Sequence, residues 1–375
     1  MKIAINVQTW VKDNREGLGW FTYETISRII KNHPEHQFLL IFGKGICDDF
    51  SFPENTSQIN IGPPFFRPIA WFIKFQLLLN WVLRKNKIDL YVSTDGFSNP
   101  KIKIKNLLVV HDLNFVNNKH WLSKNFSFYY RKFFPLWVKN ATRIATVSEF
   151  SKLDINKHYG FESDKIDVVF NGSNEQYVPI QENEKITIKA KYSAGEDFFI
   201  FISSIHPRKN LPNQLKAFDA FKAKSHSKIK FIIIGGLFNN NKSLNQIYND
   251  MRYKDDVIFT GHLQAVELHK LLATSIALVY ASLFEGFGIP IIEAMNCKTA
   301  VITSNVTSMP EIAGDAAVLV DPYSVHSIAD AMNIIYSDKE FREQLIEEGW
   351  NRAKRFSWNN TAEALWDSII KVINE

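Results

Sequence analysis

The sequence predicts an α/β chain made of two units, each a parallel sheet wrapped by helices. Three observations predict it. Short apolar segments alternate with longer helical patterns from end to end, as expected of repeated βα units. The 375 residues suffice for two or three domains of ordinary size. A polar stretch, Gln181-Glu182-Asn183-Glu184-Lys185, divides the chain into halves of similar length.

The elements follow in order. In the first half, strands are expected at 2–7, 37–42, 89–93, 106–110 and 143–147, with helices near 19–31, 70–85, 126–140 and 149–159. Residues 2–7 read as an opening strand and lack the pattern of a signal peptide. Ser148 is placed to cap the helix at 149, with Ser151 three positions on. In the second half, strands are expected at 198–203, 228–234, 257–260, 277–280, 300–304 and 317–320. Helices are expected near 211–223, 243–251, 267–272, 290–296, 325–337 and 339–356. Pro290 suits a first helical turn, where a missing N–H costs nothing.

Composition narrows the function. The chain is 46% hydrophobic and 22% charged, with 30 phenylalanines, so a sizeable core is expected. Residues 1–180 carry 23 Lys and Arg against 16 Asp and Glu, and the remainder 21 against 23. A basic first half suits an anionic partner, either a phosphate-bearing acceptor or a membrane surface. No nucleic-acid recognition motif accompanies the charge. The two cysteines, Cys47 and Cys297, imply neither a disulfide framework nor a metal site and fit a reducing cytosol. No apolar run approaches the roughly 18 residues of a membrane-spanning helix.

The most informative segment is Ser282-Leu283-Phe284-Glu285-Gly286-Phe287-Gly288-Ile289-Pro290-Ile291-Ile292-Glu293-Ala294-Met295. Glu285 lies in a strand-to-helix loop and Glu293 one turn inside the helix. The glycines let a ligand approach the backbone, and a helix N-terminus favours an anion. A carboxylate there accepts hydrogen bonds from hydroxyls. The segment therefore suits a sugar diphosphate. Taken alone it suits equally well an ordinary turn with a dipole-stabilised acid.

Other residues add to it. Arg208 and Lys209, in His206-Pro207-Arg208-Lys209-Asn210, follow a strand, where they form either a solvated basic loop or a diphosphate clamp. Gly17-Leu18-Gly19 opens the first helix, as a plain turn or an approach for phosphate. His111-Asp112 ends a strand, where a histidine can donate to hydroxyls or exchange protons. Arg67, Lys74, Arg84, Lys85 and Lys87 are interleaved with Trp71, Phe72, Phe75 and Trp81. That pattern suits a helix packed on its sheet, with peripheral membrane contact left open. No Asp-x-Asp pair is present to hold a divalent metal on a diphosphate.

These pieces together resemble the retaining glycosyltransferases of family 4, also called group 1. The resemblance runs through Val109-Val110-His111-Asp112-Leu113, Ala145-Thr146-Val147-Ser148-Glu149-Phe150-Ser151 and Val169-Phe170-Asn171-Gly172. It continues through Ile205 to Leu211, Phe284 to Met295, Met309 to Ala317 and Phe356-Ser357-Trp358. It implies the GT-B fold: two Rossmann-like domains facing a deep cleft. Residues 1–180 would bind the acceptor, 181–358 the nucleotide-sugar donor, and the helix 359–375 would cross back to the first domain.

The resemblance also implies roles. Arg208 and Lys209 match the diphosphate-binding pair, Glu293 the acid on the ribose hydroxyls, and Glu285 the acid on the donor sugar. The backbone of Gly286, Phe287, Gly288 and Ile289 would lie along that sugar. His262 and Leu263 fall in the segment near the nucleobase. Gly17 and Gly19 match the loop approaching the phosphates and acceptor, and His111 a residue near the reacting hydroxyl. The implied reaction moves a hexose from GDP-mannose or a UDP-sugar to a glycan or lipid-linked hydroxyl, with retention and without metal or other cofactor. The alternatives are a nucleotide-sugar epimerase or a non-catalytic nucleotide-sugar-binding partner. A cytoplasmic location is expected, at or near the inner face of the plasma membrane. The chain departs from the family at Ser203, where glycine is usual, and at Lys298 and Ala300, which replace glycine and proline.

Overall fold

The computed structural model describes residues 1–11, 17–43, 50–62, 73–118, 121, 124–236 and 242–375. The chain forms two compact units. One comprises Met1–Gly172 with Ser357–Glu375, and the other Ser173–Phe356. Residues 173–180, expected with the first domain, therefore belong to the second, and 357–358 to the first.

The first unit holds β1 (Lys2–Asn6), β2 (Gln37–Phe42), β3 (Thr56–Asn60), β4 (Leu90–Ser93), β5 (Lys105–Val110), β6 (Arg143–Thr146) and β7 (Ile166–Val168). Their order is β3-β2-β1-β4-β5-β6-β7, and every pairing is parallel. The edge strands β3 and β7 escape the sequence pattern for a physical reason. Thr-Ser-Gln-Ile-Asn and Ile-Asp-Val are short and mostly half-exposed, so neither carries an apolar run. Beneath the sheet, Tyr91, Phe75, Leu79, Val82, Phe134 and Trp137 share one core.

The helix Glu149–Tyr159 starts and stops as its sequence dictates. Ser148 Oγ accepts the Ser151 amide at 3.1 Å, and Gly160 ends it at φ 62°. The helix expected at 70–85 is a π-helical turn at Ile73–Leu78 followed by Leu79–Lys85. Arg67, Trp71, Phe72 and Cys47 lie outside the described residues.

The chain returns to the first unit as the helix Trp358–Asn374, capped by Ser357. Its re-entry depends on Gly172, where a Cβ would sit 2.3 Å from the Trp358 nitrogen. Thr361 Oγ1 donates to the Phe170 carbonyl at 2.8 Å. At the far end, Arg143 pairs with Asp167 at 3.0 Å and with Glu375, and Lys371 reaches Asp167 at 2.7 Å.

The second unit holds β8 (Phe198–Ile202), β9 (Lys230–Ile234), β10 (Val257–Gly261), β11 (Ala277–Tyr280), β12 (Ala300–Ser304) and β13 (Val318–Val320), in the order β10-β9-β8-β11-β12-β13. All pairings are again parallel. Central β8, Phe-Phe-Ile-Phe-Ile, is buried at every position, as a strand covered on both faces requires. Phe199, Phe201, Leu215, Phe218, Phe231, Ile233, Val279 and Ile302 build the core around it.

The polar stretch read as a divide is the first turn of the helix Glu182–Ser193. That helix buries only Ile188 and Ser193, which is why its sequence looks like a linker. Among the described residues no helix is long and apolar enough to cross a membrane.

Candidate functional site

The carboxyl ends of β8 and β11 bring three charged side chains together. After β8 the chain turns through a 3₁₀ turn at Pro207–Lys209 and enters the helix Leu211–Ser225. Asn210 makes the junction in the left-handed region, φ 57°, a conformation that asparagine tolerates better than most residues. Its amide pins the loop by donating to the carbonyls of Ala281 at 2.9 Å and Pro322 at 2.7 Å. The Leu283 amide donates to the Arg208 carbonyl at 2.7 Å. The two loops are therefore stitched together by their backbones before any side chain is considered.

Glu285 sits in the loop after β11, its side chain 7% exposed. Its Oε2 accepts from Arg208 Nη1 and its Oε1 from Lys209 Nζ, both at 2.6 Å. Burial alone would raise its pKa, but Lys209 and then Arg208 outweigh it and hold the carboxyl below its usual range. Tyr280 completes the cluster, and sequence reading missed it. Lys209 Nζ donates to Tyr280 Oη at 2.6 Å, and Tyr280 Oη lies 3.0 Å from Glu285 Oε1. An ammonium only donates, so the phenolic proton is directed at Glu285. Burial, then Glu285, push that phenol well above its ordinary range. The only available signal was that Tyr280 ends a buried strand five residues before Glu285.

The loop from Gly286 to Ile289 is held from behind. Ser308 Oγ bonds the carbonyls of Glu285 at 3.0 Å and Phe287 at 3.1 Å. The Glu285 amide donates to Thr307 Oγ1 at 3.3 Å. Phe287 packs edge-on against Phe356. Gly288, at φ 100°, starts the helix Ile289–Asn296, and only glycine adopts that conformation cheaply. Pro290 occupies the first turn, as expected.

Glu293 lies further along that helix, apart from the cation cluster. Burial pushes its carboxyl up to about 8, against the opposing hydrogen bond from Tyr177. Burial and then Glu293 raise the neighbouring Cys297 thiol. In the empty protein Glu293 is thus largely protonated at neutral pH, while Glu285 is ionised.

His262 is exposed and Leu263 half-buried just beyond the edge strand β10. A Cβ on Gly236, which follows β9, would come 3.8 Å from the His262 ring. Ser203, which replaces the usual glycine, follows β8, and its backbone approaches Gly235 closely. Gly235 has φ 145°, and a Cβ there would fall 1.7 Å from the Ser203 carbonyl oxygen. Lys298 keeps the left-handed backbone that a glycine would take, at φ 55°.

In the first unit, Gly17 opens the helix Gly17–Asn32, and Gly19 is buried within it. His111 follows β5. Its Nε2 lies 2.9 Å from the Thr94 carbonyl oxygen, and Phe21 packs edge-on against the ring at 4.7 Å. A carbonyl only accepts, so Nε2 carries the proton. Burial lowers the pKa of the ring. His111 is therefore a neutral imidazole whose Nδ1 is an acceptor.

A second polar group in this unit was not foreseen. Asp95, Gln8, Asn6 and Lys74 meet at the carboxyl ends of β1, β2 and β4. Burial, partly offset by Asp95, lowers the Lys74 ammonium to about 8. Burial raises the Asp95 carboxyl. Lys74 had been counted only as one of a run of surface cations.

Two all-parallel α/β units with their polar clusters at the carboxyl ends of the strands are the architecture of GT-B glycosyltransferases. The chain belongs to the group 1, family 4 glycosyltransferases: residues 17–177 match the model "Glycosyltransferase Family 4", and residues 182–352 match "Glycosyl transferases group 1". It is 26% identical over 371 residues to O-antigen chain mannosyltransferase B of Escherichia coli, covering 96% of this chain and 97% of that one. It is 31% identical over 257 residues to O-antigen chain mannosyltransferase RfbU of Salmonella typhimurium, covering 68% and 67%. Among solved structures it is similar to Anabaena Alr3699/HepE in complex with UDP and glucose. There the TM-score is 0.75 at 15% identity, over 99% of this chain and all of the other.

Proposed function

We propose that this glycosyltransferase moves a mannosyl residue from a nucleoside diphosphate donor to a hydroxyl of a glycan or lipid-linked saccharide, in the synthesis of a cell-surface polysaccharide. One observation carries the reading: the cluster of half-buried Arg208 with buried Lys209 and Glu285 on the loops after β8 and β11. Two cations against one carboxylate leave a net positive charge where a diphosphate would sit. The O-antigen mannosyltransferase relatives support mannose and an O-antigen-like acceptor, and the UDP-bound structural neighbour supports a nucleotide donor.

Arg208 and Lys209 bind the diphosphate and stabilise the charge it gains on departure. Glu285 accepts from hydroxyls of the donor sugar, and the backbone of Gly286 to Ile289 lies along that sugar. Glu293 takes the ribose hydroxyls, and His262 and Leu263 flank the base. The bond from the anomeric carbon to the phosphate oxygen breaks, and the acceptor oxygen bonds to the same face. The acceptor proton passes to the departing phosphate oxygen, so configuration is retained and no general base is needed. Positive charge from Arg208 and Lys209 serves where other transferases use a metal.

GDP-mannose at a hundredfold excess over its Kd should raise Tm by about 5–10 °C. With a mannoside acceptor, GDP release should continue in EDTA and the product should keep the α configuration. If no nucleotide sugar shifts Tm and none is consumed with a broad acceptor set, this reading fails.

The first domain also carries the peripheral membrane contact. Ile73, Leu77, Leu78 and Trp81 are exposed beside Arg84 and Lys85, and Lys85 Nζ lies 4.7 Å from the Trp81 ring centre. Apolar side chains flanked by cations suit an anionic interface. The protein should sediment with vesicles containing phosphatidylglycerol and lose about tenfold in partitioning when Leu77 and Trp81 become serine. Equal partitioning of wild type and variant would refute the contact.

A further inference from the structure

The roles above leave the Lys74, Gln8 and Asp95 group unused. In the first sheet, β1 and β4 are neighbours from which the strand order runs outward in opposite directions. Ligands of open α/β sheets bind beyond the carboxyl ends at such a switch point. Asn6 ends β1 with Gln8 two residues on, and Asp95 lies two residues beyond β4. Lys74 reaches over the end of β2, where Gly43 leaves room: a Cβ there would come 2.5 Å from Nζ.

The hydrogen bonds form a directed relay. Lys74 Nζ donates to Gln8 Oε1 at 3.0 Å, and Gln8 Nε2 donates to Asp95 Oδ2. The Gln8 amide is thereby fixed in orientation and separates the two charges. Asp95 Oδ1 accepts from Asn6 Nδ2 at 2.7 Å, Ser93 Oγ at 3.0 Å and the Phe97 amide at 3.2 Å. Among the described residues, three donors saturate Oδ1, while Oδ2 takes Gln8. A carboxylate oxygen has two lone-pair positions, so Oδ2 retains an acceptor site. Beside it, Gln8 has a second amide proton and Lys74 has further ammonium protons. Lys74 is only 4% exposed, and Gln8 and Asp95 are half-buried, so the relay is deepest at the lysine. A network serving the fold alone explains the bonds to Oδ1. It does not explain an ammonium buried to orient one amide beside a carboxylate oxygen that keeps an acceptor position.

We propose that Asp95, Gln8 and Lys74 form the site that holds the acceptor sugar. Asp95 Oδ2 accepts from a ring hydroxyl, and Gln8, oriented by Lys74, donates to the same or the adjacent hydroxyl oxygen. A hydroxyl both donates and accepts, so an acceptor and a donor side by side are its natural complement. The inference rests on the transferase reading and adds to it the residues that select the acceptor.

The test uses the full chain with octyl α-mannoside as probe. Binding is read by saturation-transfer NMR and transfer from GDP-mannose by steady-state kinetics. Lys74→Met, Gln8→Leu and Asp95→Asn should each weaken probe binding or raise its KM about ten- to hundredfold. The Tm shift produced by GDP should stay as in wild type. Should Lys74→Met fail to fold, Gln8→Leu, at a half-buried position, decides. Unchanged probe affinity in folded variants, or a wild type that binds neither octyl mannoside nor octyl glucoside, overturns the acceptor site. Loss of the GDP shift in wild type would instead sink the donor reading, so the two failures are distinguishable.

Discussion

Replacing Lys209 with alanine should lower kcat by about two to three orders of magnitude, the cost of removing one fixed donor from a developing oxyanion. The physical basis is its placement. Lys209 is 8% exposed and held by Glu285 and Tyr280, so its charge is oriented before the donor arrives. A preorganised charge needs no rearrangement as the phosphate departs. Glu285→Gln should also reduce kcat, because it removes the anion that holds both cations. Tyr280→Phe should cost about tenfold, the worth of one hydrogen bond to a charged group. Its effect should fall on kcat more than on the affinity for GDP. Breaking a buried ion pair costs about 3–5 kcal/mol of stability, so each variant needs a melting curve alongside its kinetics. Full activity in a folded Lys209→Ala protein would remove Lys209 from the donor site.

Donor affinity should rise with pH by up to about tenfold per unit between roughly 5 and 8 and then level off. Burial holds Glu293 up to about 8, so the carboxyl is mostly protonated over most of this window. Ribose hydroxyls donate best to the ionised form, and binding therefore expels a proton. The sign for folding is opposite. The folded state keeps a proton that the unfolded chain releases above the ordinary carboxylate range, so stability from this group is present at low pH. It is lost as pH rises toward 8, by at most about 1.4 kcal/mol per unit. Glu293→Gln should remove both slopes, flattening GDP affinity against pH and raising Tm more at pH 8 than at pH 5. Isothermal titration in two buffers of different ionisation heat would count the proton. No proton release at pH 6.5 would rule out ionised Glu293 as the ribose ligand.

Much of the second domain's site was legible because its residues are local in sequence. Glu285, the glycines, Pro290 and Glu293 share one strand-loop-helix passage, and their spacing dictates a buried loop ahead of a helix. Arg208 and Lys209 were legible as a pair, but not as the partners of Glu285. That link spans some 76 residues and exists only because β8 and β11 are neighbours in the sheet. Tyr280 was invisible for the same reason: a tyrosine at a strand end is ordinary until a lysine arrives from another loop. The edge strands β3 and β7 and the helix Glu182–Ser193 were missed because they bury too little to leave a pattern.

The sequence by itself determined the architecture, since apolar periodicity is a local property that survives without contacts. It also determined the family, and with it which residues to look for at the ends of the strands. Only the tertiary structure decided how those residues act on one another. It set Glu285 ionised between two cations, Glu293 protonated by burial, and His111 neutral with its Nε2 proton on a carbonyl. It turned Lys74 from a surface charge into the buried end of a relay. Ionisation and hydrogen-bond direction depend on burial and on partners brought from distant strands. Residue type alone carries neither.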